Sequence, residues 1–227
     1  MKLATFSQGS ASELGVVLDG ERIVSLSRAA PSLARNMIDL IARWPQIEGE
    51  VRRIAAEAKD SLALADVHLH APVRRPGKIM AIGLNYADHI AESNMGTPEH
   101  QIWFTKAVTS INGPYDPIQI PKVSQAVDYE AELVAVIGTG GRHISKDNAA
   151  SAVFGYCVGN DVTERGLWAR ASTPTPLSAR GSPPPTRSTI RTIWASGVWS
   201  MVSCVRTPTP AIWCSISGTR SNTCPRP

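Results

Sequence analysis

The acidic residues of this 227-residue chain stop at Glu164, and no lysine follows Lys146. Residues 165–227 are built mainly from Ser, Thr, Pro, Arg, Trp and Cys. That break limits the patterned, foldable part to about the first 165 residues, enough for one core and a small accessory domain. It also divides the charge. Residues 1–165 hold 16 Lys+Arg and 19 Asp+Glu, a net of −3, whereas 166–227 hold seven Arg and no acid. The overall +4 and the pI near 9.0 therefore describe the tail. Its arginines lie among prolines and serines, with no helical stripe and no interleaved aromatics, so no nucleic-acid partner is expected. The start, MKLATFSQGS, lacks the apolar stretch of a signal peptide, and no apolar run approaches the roughly 20 residues of a membrane span. Only Cys157 lies in the patterned part; Cys204, Cys214 and Cys224 fall in the tail. The ten-residue spacing of those three suits neither a disulfide framework nor a zinc site, and a reducing cytoplasm is the expected location.

Along the body, KLATF, ELGVVLD and ERIVSL predict a small antiparallel meander with Asp19-Gly20 at a hairpin turn. Residues 35–60 have helical period, with a break expected at Pro45. This first part, 1–70, shows no cluster of reactive side chains and reads as an accessory domain. After the entry segment APVRRPGK come a strand at 79–86, a short helix at 87–96, a strand from IWFTKAVTSI and a turn at NGPYDP. Further strands are expected at IQIP and at 126–138. SKDNAASAVF predicts a helix capped by Ser145, and 155–165 a strand running into a polar end.

AVDYEAELVAVIG is the most pointed segment. Its odd positions, Val127 to Ile137, are all apolar, while the even positions read Asp128, Glu130, Glu132, Val134 and Val136. A strand packed on both faces tolerates such carboxylates only if something compensates them. Glu130 and Glu132, two residues apart and about 7 Å along the strand, suit two oxygen ligands of a hard divalent cation. A solvated face, or an edge strand guarded by charge, is the plainer alternative. GLNYADHIAE places His89 and Glu92 on one helical turn, where a carboxylate can orient an imidazole as a general base. A simple surface pair fits them as well. GNDVTER puts Asp161 at a strand end, a position for a ligand or for a cap.

Taken in order, GLNYADH-x-x-E, FTKAVTSINGPYDPIQIP, DYEAELVAVIG and GYCVGNDVTER resemble the fumarylacetoacetate hydrolase superfamily. The resemblance runs from about Arg75 to Arg165, and the preceding 70 residues resemble the small N-terminal domain of bacterial members. It implies a β-rich α+β fold, a mixed β-sandwich roll left incomplete here, with a small N-terminal α/β domain. The implied division is 1–70 accessory domain, 71–165 partial catalytic domain and 166–227 tail. It further implies Glu130, Glu132 and Asp161 as ligands of Mg²⁺, or of Mn²⁺ or Ca²⁺. His89 and Glu92 would be a dyad on a mobile lid, and Lys106 a substrate-side cation. The substrates implied are small 2-oxo or 1,3-diketo acids of the acylpyruvate or fumarylpyruvate type, cleaved at a C–C bond, as in aromatic catabolism. Isomerisation or decarboxylation of 2-hydroxy-diene dioates is the alternative, as is a non-catalytic remnant, and the intact fold is expected to be a homodimer.

The family's catalytic lysine and FDT-type motif, expected after Asp161, have no counterpart here. However, STPTP at 172–176 can be encoded so that reading from one nucleotide earlier gives FDTHA. The stretch 201–217, read in the same shifted phase, yields NGELRQDSNTGDMVFDI. A frameshift near residues 165–172 is the expectation, with the tail irregular and poorly packed.

Overall fold

In the computed structural model, residues 1–87, 90, 98–122 and 124–164 are described, together with the backbone of 192–193. Alternation along the first strands builds the N-terminal sheet. β1 (Lys2–Ser7), β2 (Ser12–Val17) and β3 (Arg22–Ser25) form the expected meander, with Lys2 opposite Val17 and Gly15 opposite Ser25. The turn at Asp19-Gly20 holds because Gly20 adopts φ +91° and Asp19 Oδ1 accepts from the Glu21 and Arg22 amides. β4 (Leu62–Ala63) and β5 (His68–His70) complete the order β4-β3-β2-β1-β5.

Between β3 and β4 lie α1 (Leu26–Ala29) and α2 (Met37–Glu57). Ser25 caps α1 by accepting from the Arg28 amide, and Asn36 caps α2 by accepting from the Asp39 amide. Contrary to the expected break, α2 runs through Pro45. Met37 and Leu40 before the proline, and Ile47, Val51 and Ile54 after it, bury into one cluster with Leu3, Leu14, Val16 and Val24. That shared core outweighs the one backbone bond the proline removes. The other face of the sheet is covered as well: Ala4, Phe6, Ile23 and Leu69 form a second cluster.

The same core reaches later residues. Val73 is buried in the first cluster, and Val136 and Phe154 pack against it. The Trp44 ring meets Phe154 edge to face at 5.3 Å. Two compact units result. One contains 1–79 with the described residues from Lys106 onward, and the other contains Met80–Thr105. In the second unit, β6 (Met80–Gly83) pairs antiparallel with β7 (Ile102–Thr105), Met80 facing Thr105. After β6, the Ile90 amide donates to the Tyr86 carbonyl.

In the first unit, β8 (Ile111–Asn112), β9 (Val127–Asp128) and β10 (Ala131–Ile137) precede α3 (Lys146–Ala152), β11 (Val153–Asn160) and β12 (Thr163–Glu164). A short β13 (Thr192–Ile193) joins them in the order β10-β11-β13-β8. The rest of the tail lies outside the described residues. Ser145 precedes α3 as expected, but its side chain makes no capping bond. The expected strand at Ile118–Pro121 is absent: Pro117 and Pro121 carry no N–H, and Ile120 is exposed.

β10 and β11 turn opposite faces to different surroundings. Val134, Val136 and Cys157 point inward with Ala71 and Ile111. The all-apolar odd face points outward instead of into a core. Leu133 is 58% exposed and Ile137 57%, beside Tyr156 and Val158 of β11, and Tyr129 is 77% exposed. Among the described residues no helix is long and apolar enough to cross a membrane.

Candidate metal centre

Register places the carboxylates. β10 and β11 are antiparallel, with Ala131 opposite Asn160, Glu132 opposite Gly159 and Val134 opposite Cys157. One step further, the regular ladder stops. There the Asp161 amide donates to the Glu130 carbonyl at 2.8 Å, and the Glu130 amide donates to Oδ1 of Asn160 at 3.1 Å. Beyond this gap pairing resumes between β9 and β12, with Asp128 opposite Thr163. Residues 127–137 and 153–164 thus form one long ribbon with an interruption, and Glu130, Glu132 and Asp161 all sit at or beside it.

The surroundings of these three residues differ. Glu130 and Glu132 are half-buried, whereas Asp161 is only 8% exposed. Gly159 bears no side chain beside Glu132, and a methyl there would meet Cγ2 of Val134 at 2.9 Å. The Asp161 carbonyl accepts from Oγ1 of Thr163 at 3.1 Å, which fixes the backbone of the gap. Next to it, buried Glu164 accepts from Oγ of Ser124 at 2.7 Å. Sequence reasoning did not single out Glu164; its position as the last acid of the chain was the available signal.

Lys106 reaches the same place. It follows β7 directly, and its amide donates to the Ile79 carbonyl. Its ammonium makes an ion pair with Oδ1 of Asp161 and lies 3.5 Å from the Val162 carbonyl. Oδ1 of Asp161 is buried, and the Lys106 ammonium is the charge that compensates it. Among the described residues, no three His, Cys, Asp or Glu side chains converge closely enough to hold an ion as they stand. The donor types alone suit a hard cation: the residues are all carboxylates and they belong to neighbouring backbone positions. His89 and Glu92 lie outside the described residues.

A second polar cluster lies in the first unit, where sequence reasoning expected none before residue 70. His68 Nε2 is 3.0 Å from Oδ1 of Asp116, and His70 Nε2 is 3.0 Å from Oγ of Ser7. The two imidazoles meet edge to face at 4.9 Å. Burial, and then the positive charge of Arg74, hold His70 below its ordinary pKa. Asp116 also accepts from the Gly113 amide at 3.0 Å, so this cluster clamps the NGPYDP turn to β5.

Comparison with known proteins points to one family. The model of the fumarylacetoacetate (FAA) hydrolase C-terminal family matches residues 78–190. The mitochondrial oxaloacetate tautomerase FAHD2A of Bos taurus is 37% identical over 147 residues, 65% of this chain and 47% of that protein. The oxaloacetate tautomerase YisK of Bacillus subtilis is 37% identical over 188 residues, 75% of this chain and 62% of that protein. The matches span about half to three-fifths of the length of these curated relatives. Among solved structures, maleylpyruvate hydrolase from Sphingobium sp. SYK-6, in complex with manganese(II) and pyruvate, superposes with TM-score 0.60 at 30% identity. That match covers 73% of this chain and 60% of the hydrolase. Fumarylacetoacetate hydrolase from Exiguobacterium antarcticum gives 0.61 at 34%, covering 75% and 59%.

Proposed function

The chain belongs to the fumarylacetoacetate hydrolase superfamily, and on that premise we propose that it carries the metal-binding part of an enzyme for small 2-oxo acids. The observation that supports this most is the ribbon interruption, at or beside which the backbone positions of Glu130, Glu132 and Asp161 lie. These three are the proposed ligands of Mg²⁺ or Mn²⁺; a manganese ion accompanies pyruvate in the maleylpyruvate hydrolase relative. A cation held there supplies a Lewis acid for the oxo and carboxylate oxygens of the substrate. Lys106 contributes a second positive charge on the substrate side, where a carboxylate must be desolvated.

The reaction we favour is hydrolysis of a C–C bond in an acylpyruvate- or fumarylpyruvate-type acid. The His89–Glu92 pair takes a proton from water, and the resulting hydroxyl adds to the distal carbonyl. The electron pair of the broken C–C bond passes to the 2-oxo acid half, which gains a proton at C3. A second reading is proton transfer alone, tautomerising an oxaloacetate-like acid, and the 37% identity to oxaloacetate tautomerases supports it. Both share the site and differ only in whether water adds. The frameshift reading bears on rate: with no lysine after Lys146, turnover is expected to be low. A frame-corrected chain should be faster.

Isothermal calorimetry with Mn²⁺ on the chain and on the Glu130→Ala/Glu132→Ala double variant tests the ligands. Loss of binding in the variant is expected, and equal binding would remove the assignment. Assay of the chain and its frame-corrected form against acylpyruvates and oxaloacetate then separates the chemistries. Carboxylic-acid products from an acylpyruvate mark hydrolysis, and enol–keto exchange of oxaloacetate without cleavage marks tautomerisation. Inactivity of the corrected chain on every 2-oxo acid would end the functional reading.

A further inference from the structure

β5 is a three-residue strand at the edge of the N-terminal sheet, paired with β1 through Ser7 opposite His68, Phe6 opposite Leu69 and Thr5 opposite His70. So short a ladder depends on its side chains to stay in place. On one face, Leu69 packs with Ala4, Phe6 and Ile23. On the other, alternation puts His68 and His70 side by side, with their rings 4.9 Å apart. His68 Nε2 lies 3.0 Å from Oδ1 of Asp116 in the NGPYDP turn, and His70 Nε2 lies 3.0 Å from Oγ of buried Ser7 on β1. The turn sits close on β5: a Cβ at Gly113 would stand 3.0 Å from the Leu69 carbonyl oxygen.

A proton meets different surroundings on the two rings. On His68 it lies beside the Asp116 carboxylate, near the surface. On His70 it meets burial first, then the positive charge of exposed Arg74 and then that of a protonated His68, with Asp116 alone favouring it. β1 faces His70 with the Ser7 hydroxyl, which carries no charge to offset the proton. We propose that His70 is an acid-released latch: when its imidazole is protonated, β5 comes away from β1 and the NGPYDP turn loses its anchor.

Burial and Arg74 hold folded His70 below its ordinary value of 6.5, so the folded chain binds fewer protons there than the unfolded one. The stabilisation from the neutral ring is complete above 6.5 and is lost as pH falls through the folded value. That window lies above the range in which ordinary carboxylates titrate. Release is local because the main N-terminal core contains no residue of β5. The exit of β5 stays tethered, since Oγ1 of Thr5 donates to the Pro72 carbonyl at 2.7 Å. The effect carries past the turn. The Asn112 side chain donates to the Asp116 and Pro117 carbonyls, and Ile111 beside it packs against Cys157 and Val134. A freed turn thus loosens the inner support of β10 and β11.

Two measurements on the full chain test the latch. Proton NMR of the imidazole rings follows the titration, with His70 identified by the signal that His70→Gln removes. His70 should titrate below 6.5 and move back toward that value in Arg74→Gln. Hydrogen–deuterium exchange read by mass spectrometry follows β5. The amides of 66–72 should exchange several-fold faster in the parent than in His70→Gln at about pH 5, and alike at about pH 7. Taking the ratio at each pH cancels the intrinsic chemistry of exchange, and peptides from α2 should show no difference. Glutamine can still bond Ser7 but cannot gain the charge. Arg74→Gln, at an exposed position, supplies the same comparison if His70→Gln does not fold, with exchange at about pH 5 slower than in the parent. A His70 that titrates at or above 6.5 would overturn the latch. So would a parent-to-variant ratio that is the same at both pH values, or an acid loss of protection that reaches α2 equally.

Discussion

At the scale of single residues, the clearest electrostatic commitment is Glu13. Its Oε1 accepts from Nη2 of Arg28 at 2.6 Å, and its Oε2 accepts from Nε of Arg28 and Oγ of Ser25. The Arg28 hydrogen bond, foremost, holds the Glu13 carboxyl below its ordinary value near 4.5. A carboxylate with a depressed folded-state pKa stabilises the fold fully above the unfolded-state value. That contribution is lost as pH falls through the folded one. Stability should thus fall as pH drops below about 4.5, and Arg28→Met should flatten that decline, as followed by urea midpoints between pH 3 and 7. Gly113 carries a steric commitment. A Cβ there would lie 3.0 Å from the Leu69 carbonyl oxygen and 2.6 Å from Oδ2 of Asp116. Gly113→Ala should cost about 1–3 kcal/mol through overpacking, read as a lowered denaturation midpoint.

At the scale of elements, α2 carries the N-terminal core. Leu40 is fully buried in it, and Leu40→Ala should cost about 2–5 kcal/mol in chemical denaturation without loss of helix signal at low denaturant. The meander and this helix were legible because their apolar periods are regular and Asp19-Gly20 has only a few turn conformations open to it. The break at Pro45 was misread because a local rule, the missing N–H, competed with a core that exists only once the chain has folded. Ile118–Pro121 failed as a strand for the converse reason: its apolar pattern was present, but the flanking prolines offer no ladder bonds. Parity along 126–138 put Glu130 and Glu132 on one face of a strand, and GNDVTER put Asp161 at a strand end, but their part as ligands came from the family resemblance and is a proposal. The Lys106–Asp161 pair was not legible as a contact, because nothing local relates the end of β7 to the end of β11. The same holds for His68 and Asp116, which meet only through the clamp on the NGPYDP turn.

At the scale of the whole molecule, the matches span about half to three-fifths of the curated relatives' length, and the chain leaves a sheet face outward. Leu133, Ile137, Tyr156 and Val158 share that face of β10 and β11, with Tyr129 just before β10. Contiguous apolar surface of this kind binds hydrophobic dyes. We expect the native chain to enhance 8-anilinonaphthalene-1-sulfonate fluorescence. A Leu133→Lys/Ile137→Lys variant should lose most of that signal while its far-ultraviolet circular dichroism stays unchanged. Retained dye binding would place the apolar surface elsewhere.

The outward face of β10 and β11 also bears on how long the chain persists in a cell. Chaperones and proteases sort chains by the greasy, extended surface they present, and a modest change in such exposure alters abundance several-fold. A chain with this ribbon uncovered is expected to be held and degraded while its N-terminal core is still intact. The first phenotype of changes at Leu133 or Ile137 is therefore the steady-state amount of protein, ahead of any change in chemistry at Asp161.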